Sequence, residues 1–216
     1  MKIALPVYPG LTVLDLIGPF QVLSQLPSEE VVLVTSEPGI VADDTGLVRL
    51  EVTTALADVP APDGVVVPGG FGTRRLLRDG DPLVDWLAAV HPTTTFTASV
   101  CTGALLLGQA GILDGLEATT HWSAYDTLAS LGATPTAERV VRRGKVWTAA
   151  GVSAGIDLAL ALVADLHDDD VARAVQLGIE YDPQPPFDAG SPSKVDPDLL
   201  AFVRAVSAER EAAALA

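Results

Sequence analysis

Residues Thr94–Ala110 read TTFTASVCTGALLLGQA. Thr94–Val100 is rich in β-branched and aromatic residues and predicts a strand. Ala104–Ala110 predicts a helix, and only Cys101-Thr102-Gly103 lies between the two. A strand that passes straight into a helix is the βα turn of a parallel sheet. Such a turn holds its apical side chain at the carboxyl edge, where open α/β sheets bind ligands. The apex also lies near a helix N-terminus, whose unpaired N–H groups and dipole favour a thiolate over a thiol. The same strand–nucleophile–helix device serves hydrolases as a nucleophile elbow. A cysteine used for packing belongs inside a strand or on a helix's apolar stripe. Cys101, the sole cysteine, is therefore read as a nucleophile.

The pattern repeats outward in both directions. Lys2–Tyr8, Val31–Thr35 and Gly64–Pro68 are further strand candidates. The last two are continuous apolar runs, as in strands covered on both faces. Leu14–Leu26 has helical spacing, and Asp81-Pro82 opens a helix through Val90 with proline in the first turn. Residues 38–54 predict a small hairpin with Asp43-Asp44-Thr45-Gly46 at its tip. Beyond the central turn, His121–Leu131 predicts a helix that stops at Gly132, and Val140–Thr148 a hairpin around Arg143-Gly144. Gly151–Leu166 predicts an apolar helix with Ser153 as N-cap, and Asp168–Tyr181 another helix opened by three aspartates. Residues 182–197 form a Pro-rich strap, and a terminal helix occupies 198–216. Alternating β and α elements with buried strands imply a mostly parallel sheet with helices on both faces. One domain is expected over residues 1–216.

The composition narrows the function classes. Thirteen basic residues against 28 acidic ones give a net charge of −15. Such a chain is repelled by phosphate backbones, so nucleic acid and anionic membranes are not expected partners. One cysteine supports neither an internal disulfide nor a cysteine-rich zinc site, and no metal is expected. The opening MKIALPVYPG runs into Pro6 and Pro9 and reads as a strand rather than a leader. No apolar run approaches the roughly 20 residues needed to span a bilayer. A cytoplasmic location is expected.

Other residues could join Cys101. Gly69-Gly70-Phe71-Gly72 follows a strand, and its N–H groups could form an oxyanion-type hole with that of Thr102. An ordinary βα turn reads the same way. Asp15, in Leu14-Asp15-Leu16-Ile17-Gly18-Pro19, is either a helix-end carboxylate or a part-buried acid with a raised pKa. Among the histidines, His91 and His167 read as surface residues. His121 either pairs with Cys101 or caps the helix that it opens. Gly151-Val152-Ser153-Ala154-Gly155-Ile156-Asp157 suggests close backbone packing beside the site, and it lacks a phosphate-loop lysine.

Together these segments resemble the ThiJ/PfpI superfamily, with its class I glutamine-amidotransferase-like fold. The resemblance spans about residues 1 to 182. It is carried by DLIGPF (Asp15–Phe20), VVVPGGFG (Val65–Gly72), ASVCTGALLLGQAGILDG (Ala98–Gly115), ATTHW (Ala118–Trp122) and TAAGVSAGIDLAL (Thr148–Leu160). The combination is similar to one subgroup: isonitrile hydratases and the ligand-domain halves of AraC-type regulators. It implies a flavodoxin-like α/β/α sandwich with a small β-hairpin, no cofactor, and a homodimer. Either the Leu105-Leu106-Leu107 helix or the strap could supply the dimer interface.

By the same resemblance, Cys101 is the nucleophile and Asp15 the acid that faces it. Thr102 stands where the peptidase-like branch has histidine, which argues against a peptidase. Gly70 and Thr102 flank the cysteine with backbone N–H groups. Asp182 falls where the subgroup brings a further polar side chain near the pocket. From the reading of the segments themselves, Gly69, Gly70, His121, Gly151 and Ile156 are also expected around the substrate. The implied reaction is hydration of an isonitrile to an N-substituted formamide. Alternatives are another cysteine-dependent activity (glyoxalase-type, deglycase or amidase) and a non-enzymatic ligand or redox sensor. Too few residues follow Asp182 for two helix-turn-helix motifs, and that tail is not basic.

Overall fold

Short runs of Val, Ile, Leu and Ala, apolar on both faces, can be buried only in the middle of a layered structure. That is where they lie in the computed structural model, which describes residues 1–215. The predicted terminal helix reaches beyond them at Ala216. In chain order, β1 (Lys2–Pro6) leads to α1 (Val13–Leu23) and β2 (Glu30–Thr35). The hairpin β3 (Gly39–Ala42) and β4 (Arg49–Val52) follows, then β5 (Thr54–Ala55) and β6 (Gly64–Val67). Helices α2 (Gly72–Asp79) and α3 (Pro82–Val90) precede β7 (Phe96–Val100) and α4 (Gly103–Gln109). Next come β8 (Glu117–Ala118), α5 (Tyr125–Ser130), β9 (Thr134–Pro135), β10 (Val140–Arg143) and β11 (Val146–Ala149). Helices α6 (Ala154–Leu166), α7 (Asp169–Gly178) and α8 (Pro197–Leu215) close the chain.

The main sheet has seven strands in the order β10-β11-β7-β6-β1-β2-β5. All neighbours are parallel except β10 and β11. Helices α1, α6 and α7 pack together on one side, and α4 packs with α2, α3 and α5 on the other. This is the flavodoxin-like sandwich that the sequence implies, with β3–β4 as the separate antiparallel hairpin. Strand β1 lies between β2 and β6, so the chain reverses its direction of travel across the sheet there. The loops after β1 and β6 separate at this point and leave a crevice. They are stitched together by Thr12 N–H to Gly69 O (2.9 Å) and Gly72 N–H to Gly10 O (2.8 Å).

Several local expectations change. Helix α2 was not expected; its Arg74, Arg75 and Arg78 mask the helical apolar pattern. Helix α6 starts at Ala154, and the Ser153 side chain makes no cap bond. Its hydroxyl instead lies 3.3 Å from Arg139 Nη2. The segment opened by His121 begins with a 3-10 turn, Trp122–Ala124, before α5. His91 is not a plain surface residue: its Nδ1 lies 2.8 Å from the Thr97 hydroxyl. Residues 182–197 are mostly exposed, with one 3-10 turn at Pro192–Lys194. Leu105, Leu106 and Leu107 are fully buried, so they offer no surface to a second chain. Among the described residues, no helix is long and apolar enough to cross a membrane.

Candidate active site

Cys101 is the first residue after β7 and has φ = +56°. That left-handed backbone is unfavourable for any residue with a Cβ and persists only where neighbours impose it. Here they do. The Cys101 N–H is shared by the carbonyls of Ala149 (3.1 Å) and Ala150 (3.0 Å). Its own carbonyl accepts a hydrogen bond from the Thr120 hydroxyl at 2.8 Å. Gly103 allows α4 to start directly over the end of β6, since a Cβ there would lie 2.2 Å from Val67 O. The thiol is thus held at the carboxyl edge of the sheet, as the Thr94–Ala110 reading predicts.

Asp15 sits in the first turn of α1 and is fully buried. Its Oδ2 accepts the Gly69 N–H at 3.0 Å, while Oδ1 has no hydrogen-bond partner among the described residues. Burial pushes its pKa up to about 7, although the Gly69 N–H and the Cys101 thiol pull it partly back. Burial, and then the nearby charge of Asp15, push the Cys101 thiol well above its ordinary range. The N–H groups of Val152 and Thr102 oppose that rise. The expected preference for thiolate at the tip of α4 is therefore overruled by desolvation. The two groups titrate as a pair. The pair loses one proton near neutrality and retains the other, so attack by sulfur requires that proton to move onto Asp15.

Thr102 acts as a clamp. Its Oγ1 accepts the Gly70 N–H at 2.9 Å and lies 3.1 Å from Gly70 O. Gly69 N–H is held by Asp15 and Gly70 N–H by Thr102, so neither is free to form the predicted oxyanion hole. The N–H groups directed at sulfur are those of Thr102 and Val152. Gly70, at φ = +140°, fits because a Cβ would lie 2.4 Å from Thr12 N.

The thiol opens into a cavity of about 380 Å³. Its inner wall includes Gly70, Thr102, Val152 and His121. Its outer wall is α8, through Arg204, Ser207, Ala208 and Glu211. These four recur at helical spacing on one face. Arg74 of α2 forms an ion pair with Glu211 of α8 in the cavity wall.

The DJ-1/PfpI family model matches residues 1–165. The chain belongs to the DJ-1/PfpI family. It is 45% identical to an isonitrile hydratase of Pseudomonas putida over 89% of this chain and 83% of that one. A crystal structure of a ThiJ/PfpI family protein from Pseudomonas syringae superposes with a TM-score of 0.92 at 36% identity. That match covers 99% of this chain and 88% of the other. The transcriptional regulator CdhR of Pseudomonas aeruginosa is 33% identical over 56% of this chain, but only 36% of the regulator is matched.

Not every residue expected at the site of this DJ-1/PfpI protein reaches it. His121 lines the cavity but makes no hydrogen bond to Cys101; its Nδ1 lies 2.7 Å from the Ser123 hydroxyl. Burial, then the charge of Arg74, lower its pKa and favour the neutral ring. Gly151 makes room for that ring, since a Cβ there would lie 2.7 Å from His121 Cδ2. Ile156 packs towards Gly18 between α6 and α1 and does not line the cavity. Asp182 is exposed and accepts a hydrogen bond from Gln184 at 3.2 Å, away from the cavity wall. Thr120 and Val152 were visible in the sequence only as members of motifs, with no role of their own, and Arg74 and the α8 face were missed. The Thr-Thr-His run was a signal for Thr120; the others depend on tertiary packing.

Proposed function

We propose that this DJ-1/PfpI protein hydrates isonitriles, with Cys101 as nucleophile and Asp15 as proton carrier. The observation that carries the proposal is the buried Asp15–Cys101 pair on a strained elbow. The 45% identity to an isonitrile hydratase over most of both chains supports it. The thiol proton passes to the Asp15 carboxylate. Sulfur attacks the terminal isonitrile carbon, and Asp15 returns the proton to that carbon, giving a thioimidate, R–N=CH–S–Cys101. Water then adds to this carbon; one of its protons leaves through Asp15 and nitrogen takes up one. The C–S bond breaks with the electron pair returning to sulfur, and R–NH–CHO leaves. The sum is one isonitrile plus one water, with the thiol regenerated.

Thr102 fixes Gly70 and, with Val152, presents N–H groups to the developing thiolate. Cyclohexyl isonitrile, followed by NMR of the formamide product, is a direct test. Cys101→Ala should abolish turnover, and Asp15→Asn should lower kcat by at least about a hundredfold. An alanine variant with full activity ends the proposal. A parallel assay on methylglyoxal separates hydration from glyoxalase-type chemistry. Mass spectrometry of Cys101 after mild peroxide separates a redox sensor from a hydratase. We further read residues 1–216 as one domain of a cytoplasmic homodimer. Light scattering tests the homodimer.

A further inference from the structure

Although the chain carries a net charge of −15, the cavity wall holds three arginines (Arg74, Arg204, Arg210) and two acids (Asp44, Glu211). Both acids are engaged within the protein. Asp44 accepts the Thr12 hydroxyl at 2.6 Å, and Glu211 pairs with Arg74. Arg204 and Arg210 form no ion pair among the described residues. The Arg204 guanidinium lies 5.8 Å from the centre of the Trp122 ring, within cation–π range. A second cavity of about 620 Å³ adjoins the first and shares Asp44, Phe71 and Arg210 with it. The groove therefore runs from the thiol past Arg204 and Arg210.

The two ends of this groove differ in charge. The inner end holds the Asp15–Cys101 pair, which is anionic above about pH 7 and repels a second negative charge. The outer end presents Arg204 and Arg210, which form no ion pair among the described residues, beside Asp43, Asp44 and Arg75. We propose that the groove takes isonitriles bearing a carboxylate on the far end of the molecule. Arg204 and Arg210 hold that carboxylate, and the neutral isonitrile carbon reaches Cys101. Guanidinium groups suit this task, because their fork matches both oxygens of a carboxylate. Glu211 on Arg74 already sets a carboxylate against an arginine on this wall. This proposal rests on the hydratase reading and adds the substrate class.

The test compares a linear isocyanobutanoate with its methyl ester. The wild-type protein should favour the carboxylate in kcat/KM by about five- to tenfold, as befits a part-solvated charge-assisted contact. The preference should shrink as ionic strength rises. In the Arg204→Gln/Arg210→Gln double variant, the ratio should fall toward one, mainly through KM for the carboxylate. The single variants should each lower it part-way, which keeps the test readable if the double variant misfolds. Equal or better turnover of the ester by wild type overturns the proposal, as does a preference that survives the double substitution. If neither isonitrile is hydrated, the hydratase reading fails on its own. Calorimetric binding of formamidobutanoate and its methyl ester then decides separately whether Arg204 and Arg210 form a carboxylate site. Tighter binding of the carboxylate supports it, and equal binding overturns it.

Discussion

The Gly69 N–H donates to Asp15 Oδ2 at 3.0 Å, and Gly69 has no room for a side chain. A Cβ there would lie 2.5 Å from Thr102 N and 2.8 Å from that same carboxylate oxygen. Gly69→Ala should therefore push Asp15 and Thr102 apart. The expected destabilisation is about 1–3 kcal/mol, typical of overpacking, with kcat lowered by roughly a hundredfold. Thermal melts and steady-state rates check this; a variant with wild-type values in both refutes it.

Reactivity of the thiol should follow the first ionisation of the pair. Asp15 titrates near 7, and the thiol holds its proton far above that. Below 7 the pair is fully protonated, so iodoacetamide inactivation should speed up about tenfold per pH unit as 7 is approached. It should level off above. In Asp15→Asn the inflection near 7 should vanish, and the rate at pH 8 should drop, because burial still holds the thiol protonated. An unchanged profile in that variant would break the link between the two groups.

Stability should also depend on pH through Asp15. Its pKa is about 7 in the folded protein and about 4 in the unfolded chain. Between those values the folded state binds the extra proton. The contribution is thus complete below about 4 and is lost as pH rises through about 7. Asp15→Asn removes this dependence. Its stability relative to wild type should climb from pH 4 to 8, by roughly 4 kcal/mol at most. Urea denaturation at several pH values measures the difference, and a flat difference sinks the assignment.

Thr120 is a positioning residue for the elbow. Its hydroxyl donates to the Cys101 carbonyl at 2.8 Å inside the core. Thr120→Val should cost about 1–3 kcal/mol and lower kcat more than it raises KM. Thr120→Ser should recover most of both. Wild-type kcat in the valine variant would show that the elbow holds without this bond.

The central strands and the Cys101 turn were legible because runs such as Gly64–Val67 and Phe96–Val100 are buried on both faces and leave little ambiguity. Helix α2 was hidden because three of its eight residues are arginines, and only Gly72, Thr73 and Leu76 are buried. The Leu105–Leu107 run was legible as a helix but not as core, since only packing by α2, α3 and α5 covers it. Site residues close to Cys101 in sequence were visible. The residues α8 brings to the cavity lie a hundred positions or more away, and no local pattern ties them to it.

Cys101 also reverses a familiar ranking of small residues. At its left-handed φ of +56°, alanine is penalised and glycine is not. Cys101→Gly should therefore melt higher than Cys101→Ala, by about 1 kcal/mol in stability, opposite to the order found in helices. Cysteine and glycine codons differ by a single base. Drift at this codon toward a comfortable backbone would therefore lead to a quiet, well-folded protein that has lost its one thiol.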